Sequence, residues 1–247
     1  MSKQSGIRVF LVVAGAGALV AEPSHAMHIS EGILPPSWAA LWFVLSIPFL
    51  AWGLRNLRVR SKEEPHLKAL VGLVGAAVFI ISCMPIPVPT AGTCSHPCGT
   101  GMAAILIGPT LTVVVASVAL VLQALFLAHG GLTTLGADIL SMGVAGAFVG
   151  YGIFMLARRA GLSWFAAAFL AGILSDWATY AVTSFVLASA LHGSTSMWTM
   201  FFLILVAFVP TQVPLGILEG FISAGAYKFV QSRRPDFLIL VAKGSAR

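Results

Sequence analysis

Long apolar segments separated by short polar ones run along most of the chain. Six of them approach the roughly 20 residues that an α-helix needs to cross the hydrocarbon core of a bilayer. Their approximate bounds are 36–54, 66–84, 101–128, 136–157, 163–190 and 198–227. They are punctuated by Gly and Pro, and they lack the alternation of short segments that a lipid-facing β-barrel needs. The pattern predicts an all-α membrane protein, a polytopic helical bundle.

Composition and charge support this fold class. The 247 residues are 58% hydrophobic and 9% charged, whereas about a quarter of the residues in a soluble domain are charged. The formal net charge is +6, yet the Lys and Arg residues form short clusters between apolar segments rather than a basic face. We interpret these clusters as topology signals and expect a lipid bilayer, not a nucleic acid, as the partner.

The first 26 residues have the organisation of a secretory signal peptide. Lys3 and Arg8 precede the apolar segment VFLVVAGAGALVA, and SHA follows with small residues at the two positions that leader peptidase recognises. Cleavage after Ala26 would leave a transmembrane domain of residues 27–247 that begins with Met27 and His28. An uncleaved first helix is the alternative. If translation instead started at Met27, the chain would begin with the same two residues, Met27 and His28.

The positions of the basic residues predict how often the mature chain crosses the membrane. Six crossings from an outer N-terminus would place five Lys and Arg residues inside and seven outside, which contradicts the positive-inside rule. One further crossing between residues 84 and 129 places all twelve inside. Gly108-Pro109 offers the required turn, because proline disfavours helical geometry at the preceding residue. We predict about seven transmembrane segments, an outer N-terminus and a cytoplasmic C-terminus, in a bacterial inner membrane.

The segment around His96 is expected to be irregular at membrane depth. Residues that disfavour a helix lie within or beside 90–100, namely Pro89, Gly92, Pro97, Gly99 and Gly101. Irregular backbone at this depth is tolerated only where it is buried in protein or lines a polar cavity. His96 is therefore a candidate ligand in a pocket open to the outside. A histidine in a loop at the outer surface is the alternative.

The predicted mature N-terminus carries the donor atoms of a metal chelate. The free α-amine of Met27, the amide nitrogen of His28 and the His28 imidazole can form adjoining chelate rings around one ion, and His96 would add a fourth nitrogen. Four nitrogens in a plane suit Ni²⁺, Cu²⁺ or low-spin Co²⁺, whereas Zn²⁺ prefers tetrahedral sites. We predict a metal site at Met27, His28 and His96 that signal-peptide removal creates.

Cys94 and Cys98 flank His96 and leave the identity of the metal open. The two thiols could donate sulfur, form a disulfide, or pack as small buried side chains. Thiolate ligands would shift the preference of the site toward Cu(I) or zinc.

Other polar residues are secondary candidates. Glu31 follows the Met-His pair and could orient the N-terminal loop by accepting a hydrogen bond from an imidazole. His129 could recruit metal from an outer loop or close a helix. Asp138, Asp176 and Glu219 lie in or near apolar segments. We expect these acids to bond to Thr, Ser or backbone groups between helices.

Five stretches of sequence resemble the successive signatures of one family. They are MHISEGILP, GTCSHPCGTGMAAILIGP, LQALFLAHGGLTTLGAD, DWATYAVTSFVLASAL and QVPLGILEG, which occur in order over residues 27–227. They resemble the CbiM/NikM family, the cobalt/nickel substrate-capture membrane proteins of energy-coupling factor transporters. The resemblance implies that Met27, His28 and His96 hold the ion. Cys94 and Cys98 depart from the family pattern, which has a serine and an apolar residue there.

The resemblance implies a substrate-specificity component that captures Co²⁺ or Ni²⁺ at the outer face for ATP-driven import. The metal would be the transported substrate, with no organic cofactor. The implied partners are a transmembrane coupling subunit and cytoplasmic ATPases, and a small auxiliary membrane subunit is a further candidate. The sequence contains no G-x-x-x-x-G-K-[ST] motif, so a partner would have to hydrolyse ATP.

Two other functional classes differ in how well they fit the sequence. An enzyme is not expected, because neither an H-E-x-x-H motif nor a local nucleophile–base pair occurs in the sequence. A stand-alone channel or secondary carrier is the alternative, including one that carries copper or zinc through Cys94 and Cys98.

Overall fold

A computed structural model of the chain describes residues 29–84, 86–87 and 94–238. The predicted signal peptide, Met27 and His28 lie outside these residues, as does the side chain of Cys94. Within the described part of the chain, five helices are long and apolar enough to cross a membrane. The prediction of a multi-pass helical membrane protein is confirmed.

Helices account for most of the described chain. Helices α1 (Pro36–Glu63) and α2 (Leu67–Ser82) precede a short antiparallel pair, β1 (Ile86–Pro87) and β2 (Cys94–Ser95). The later helices are α3 (Thr100–Ile107), α4 (Pro109–Phe126), α5 (Leu135–Arg159), α6 (Trp164–Leu191) and α7 (Met197–Arg233). The five candidate spans are α1, α4, α5, α6 and α7. Within α5, the segment Ile139–Gly146 is π-helical.

A sharp break separates α3 from α4 at Gly108 and Pro109. Gly108 has φ 90° and ψ 156°, a backbone region that is essentially restricted to glycine. Pro109 is the first residue of α4, where its missing N–H removes no helical hydrogen bond. The interruption predicted from the Gly-Pro pair is therefore confirmed. With eight residues, α3 is only about 12 Å long and reaches part of the way across a bilayer.

The starts of α1 and α5 lie together at one end of the bundle. Gly136 packs so closely on the backbone of Phe43 that a side chain could not be added without moving a helix. At the same level, Trp42 makes an edge-to-face contact with Phe185 near the end of α6, with ring centroids 6.2 Å apart. We call this the N-proximal end, because the first described residues dock there.

The opposite end collects the basic residues of several helices. Asn56 of α1 donates a hydrogen bond to Thr110, beside the Gly108 break, over 2.8 Å. Arg158 at the end of α5 lies 3.6 Å over the ring of Trp164, which stacks on Tyr227 of α7. We call this the basic end. The Lys and Arg residues in the neighbouring helix ends are Arg55, Arg58, Arg60, Lys62, Arg158, Arg159, Lys228 and Arg233.

The break at Gly108 generates a stability prediction. Gly108→Ala should lower the free energy of unfolding by about 1–3 kcal/mol, because a side chain is strained at this φ and ψ. Gly152→Ala is the matched control, since Gly152 is helical and has open space where the side chain would be. It should be neutral or stabilise by up to about 1 kcal/mol. Thermal unfolding in detergent tests this, and equal melting temperatures for the two variants would contradict it.

Candidate metal site

The backbone of His96 is clamped by one side chain from another helix. The hydroxyl of Tyr180, on α6, accepts a hydrogen bond from the His96 N–H over 2.8 Å. The same hydroxyl donates to the His96 carbonyl over 3.0 Å. Because His96 is only 3% exposed, these bonds replace the water that its backbone would otherwise need. The described residues 96–99 are non-helical and buried, as expected, and the loop-surface alternative for His96 is wrong.

The orientation of the His96 ring also has a local cause. Nδ1 lies 3.0 Å from the carbonyl oxygen of Pro97. A carbonyl can only accept, so this hydrogen bond requires the proton on Nδ1. The lone pair that can coordinate a metal is then on Nε2, and a backbone carbonyl behind Nδ1 is the usual partner of a metal-binding imidazole.

Glu219 holds the chain on the other side of Pro97. Its Oε1 accepts hydrogen bonds from the N–H of Cys98 and from that of Gly99, the latter over 3.1 Å. Gly99 is the residue before α3, so the carboxylate also lies at the N-terminus of that helix, where negative charge is favourable. Glu219 is 1% exposed and belongs to α7. Residues 96–99 are thus fixed between α6 and α7.

The first described residue, Ile29, is docked firmly at the N-proximal end. Its N–H donates to Oδ1 of Asp138 over 3.3 Å, and its carbonyl accepts from the Thr134 hydroxyl over 2.7 Å. The Ile29 side chain is fully buried. These contacts fix the backbone and side chain of Ile29 at this end of the bundle.

Glu31 anchors the next part of the same segment. Its Oε2 accepts from the Thr133 N–H over 3.2 Å, and the Thr133 hydroxyl accepts from the Gly32 N–H over 3.4 Å. Hydrogen bonds from Thr133 hold the pKa of the Glu31 carboxyl below its ordinary value, so the carboxylate is charged at neutral pH. Its described partner is a loop threonine, and its predicted bond to an imidazole stays a prediction.

Ile29 and His96 belong to the same half of the bundle. Gly146 of α5 lies against Thr100 and Thr179, where added side-chain atoms would meet both hydroxyls. Asp138, which binds Ile29, precedes Gly146 on α5 and lies toward the N-proximal end. His96 precedes Thr100, and its clamp on α6 follows Thr179 in the same direction. The structure therefore places the hydrogen bonds that hold Ile29 and the Tyr180 contact with His96 on the same side of Gly146, toward the N-proximal end.

The remaining candidates have distinct surroundings. Cys98 is a fully buried free thiol, so the disulfide expected as one alternative is not formed by it. Its Sγ and one carboxylate oxygen each from Asp176 and Glu219 lie within 4.8 Å of one another. His129 follows α4, and its N–H donates to the Gln123 carbonyl over 3.2 Å. A role of His129 in recruiting metal stays a prediction.

The expectation for the three intramembrane acids is met by two of them. Asp138 and Glu219 accept backbone hydrogen bonds from distant segments. In the described part of the chain, the carboxylate of Asp176 accepts no hydrogen bond from a Thr, Ser or backbone group. The expectation that Asp176 bonds to Thr, Ser or backbone groups is therefore wrong, because the space beside it holds Cys98 and Glu219 instead.

Sequence reasoning missed the two residues that hold the ligand segments, Tyr180 and Thr134. A signal for Tyr180 was present, because Asp176, Tyr180 and Ser184 follow one another at the four-residue spacing of a helix face in an otherwise apolar helix. Such a buried polar face requires partners from another segment. Thr134 lies in a polar loop and had no comparable signal.

Comparisons with known proteins point to one family. Residues 28–237 match the family model described as CbiM, cobalt uptake substrate-specific transmembrane region. A cobalt transport protein CbiM of Geobacter sulfurreducens is 58% identical over 94% of this chain and 68% of its own length. One of Sorangium cellulosum is 61% identical over 86% of this chain and 94% of its own length. The crystal structure of a truncated transition metal transporter shares the fold, with TM-score 0.73, 24% identity and coverage of 83% of this chain and 99% of that one.

The Tyr180 clamp generates a binding prediction. Tyr180→Phe removes both hydrogen bonds to the His96 backbone, and each is worth about 0.5–1.5 kcal/mol. We expect the Kd for Co²⁺ to rise by about tenfold or more. Tyr151→Phe, a half-buried tyrosine of α5, should leave the Kd unchanged. Equilibrium dialysis with the purified protein measures this. Unchanged Co²⁺ affinity in folded Tyr180→Phe protein would show that the clamp does not position the site.

Proposed function

This chain belongs to the CbiM family of cobalt-uptake transmembrane proteins, and we propose that it captures Co²⁺ or Ni²⁺ for ATP-driven import. It acts as the substrate-specificity component of an energy-coupling factor transporter. A transmembrane coupling subunit and cytoplasmic ATPases complete the assembly, with a small auxiliary membrane subunit as a further partner. The chain itself lacks the phosphate-binding motif of such ATPases.

We assign the ion to Met27, His28 and His96. The observation that carries this assignment is the docking of Ile29, because Asp138 and Thr134 fix the backbone next to the predicted chelate. A chelate of amine, amide and imidazole requires a chain that begins at Met27 with a free α-amine. It also requires the first residues of that chain to be held in one conformation. The contact of Tyr180 with His96 supports the fourth ligand, since the hydrogen bond to the Pro97 carbonyl places the proton on Nδ1 and the ring lone pair on Nε2.

The proposed donor set favours late divalent metals. Deprotonation of a backbone amide requires an ion that gains strongly from a compact nitrogen field, and affinity rises from Mn²⁺ and Fe²⁺ to Co²⁺ and Ni²⁺. Cu²⁺ would bind the same nitrogens more tightly in vitro, so affinity alone does not identify the cargo. The relatives named as cobalt transport proteins favour Co²⁺.

Substitution of the ligands tests the assignment. His28→Ala and His96→Ala should each lower Co²⁺ and Ni²⁺ affinity by at least about 100-fold, because three ligands cannot complete the plane. The double variant Cys94→Ser with Cys98→Ala should keep the high-affinity equivalent, as measured by metal analysis of the purified mature protein. If the cysteine variant loses the metal and His96→Ala protein keeps it, the captured ion is bound by thiolates and the assignment to Met27, His28 and His96 is wrong.

We also propose seven crossings, with the basic end of the bundle in the cytoplasm. The grouping of Arg158 and Arg159 with the basic residues of α1 supports this orientation. A reporter that is active only in the periplasm should be inactive when fused after Arg159. The same reporter fused after Gly130, in the loop that follows α4, should be active. A reporter that is active after Arg159 and inactive after Gly130 would show that the opposite orientation is correct.

A further inference from the structure

Three metal-ligand side chains other than the proposed nitrogen ligands form a cluster. Cys98 Sγ, Asp176 and Glu219 place one ligand atom each within 4.8 Å of the others. Their residues are 0%, 0% and 1% exposed. They come from three different segments, the loop before α3, the middle of α6, and α7. The fold therefore brings together distant ionisable groups in the bundle interior.

Three carboxylate oxygens of the cluster accept no hydrogen bond from a described residue outside the cluster. Both carboxylate oxygens of Asp176 and Oε2 of Glu219 are buried, and among the described residues their polar neighbours are the side chains of the cluster itself. The ion pairs found among the described residues are Arg60 with Glu64 and Arg234 with Asp236, far from this cluster along the chain. Burial of a charged carboxylate is unfavourable, and a bound cation would compensate it.

A neighbouring amide is also without partners. Gln212 is 4% exposed, and neither its side-chain oxygen nor its nitrogen has a hydrogen-bond partner among the described residues. The indole N–H of Trp177, the residue after Asp176, donates to the Gln212 backbone carbonyl over 3.0 Å. Gln212 is therefore near the level of Asp176 on the facing helix. Its amide oxygen is a candidate fourth ligand after a side-chain rotation.

The cluster lies between the level of His96 and the basic end. On α6, Asp176 is one helical turn, about 6 Å, before the Tyr180 clamp and nearer to Arg158 and Arg159. On α7, Glu219 is two turns beyond Thr211, whose hydroxyl is hydrogen-bonded to Ser95, and is nearer to Arg233. Along both helices, the cluster is therefore displaced from the level of His96 toward the basic end.

The ligand types select a class of ion. A thiolate with two carboxylates suits a divalent transition metal, because Mg²⁺ and Ca²⁺ take oxygen ligands. Binding would deprotonate the Cys98 thiol and release its proton to solvent. The alternative occupant is a proton shared by the two carboxylates, which needs no metal and leaves the thiol protonated.

We propose that Cys98, Asp176 and Glu219 bind a second divalent transition-metal ion, about one helical turn from His96 toward the basic end. Binding to this cluster does not depend on the nitrogen site. A role of this cluster as a second binding site on the path of the imported ion rests on the proposed function.

Co²⁺ titration of mature His96→Ala protein tests the cluster by itself. Tyr180 bonds to the backbone of residue 96, so the substitution leaves the loop anchors in place. We expect a saturable thiolate-to-Co(II) charge-transfer absorption in the near ultraviolet at one equivalent. Adding Cys98→Ala should abolish this band, and adding Asp176→Asn should weaken Co²⁺ binding by at least about tenfold. Circular dichroism and gel filtration check that each variant is folded.

Cys83→Ala and Cys94→Ser in the same His96→Ala background are the matched controls and should keep the band. Absence of the band in folded His96→Ala protein would overturn the second site and indicate the shared proton. A band that survives Cys98→Ala, or that is lost with Cys94→Ser, would overturn it as well. A different result would contradict the proposed function. In that case, His96→Ala protein would still bind the nitrogen-coordinated ion with wild-type affinity.

Discussion

The non-helical backbone of residues 96–99 inside an apolar bundle is the constraint on which the rest of the site depends. Without water, each of its polar groups needs a partner from the protein. The N–H of His96 is bonded to Tyr180, and those of Cys98 and Gly99 are bonded to Glu219. Pro97 has no N–H to satisfy. Two side chains from α6 and α7 therefore make an irregular segment stable at this depth.

That arrangement explains how the bundle can present a histidine rigidly. A regular helix through residue 96 would satisfy its own backbone, yet it would leave the ring orientation to side-chain packing alone. Here the Pro97 carbonyl fixes the ring through Nδ1. The short α3 and the Gly108 break then return the chain toward α4. Ile29 is fixed by the same kind of contact, with Asp138 and Thr134 in place of Tyr180 and Glu219.

The sequence predicts the features that depend on local pattern. Apolar length gives the long helices, and the Gly-Pro pair gives the break at residue 108. Pro97 and Gly99 indicate the irregular segment that holds His96. The clamp by Tyr180 and the Cys98 cluster depend on which helices become neighbours, and no local pattern specifies that pairing. Met27 and His28 stay predictions from the processing site and from donor-atom chemistry.

X-ray absorption at the cobalt edge tests the central claim most directly. The mature protein is loaded with less than one equivalent of Co²⁺, so that the site of highest affinity fills first. We predict a first shell of nitrogen only, with the multiple-scattering pattern of two imidazoles, and a weaker imidazole signal in His96→Ala protein, which keeps only the His28 ring. A sulfur shell at low loading, or an oxygen shell without imidazole, would contradict the assignment of the captured ion to Met27, His28 and His96.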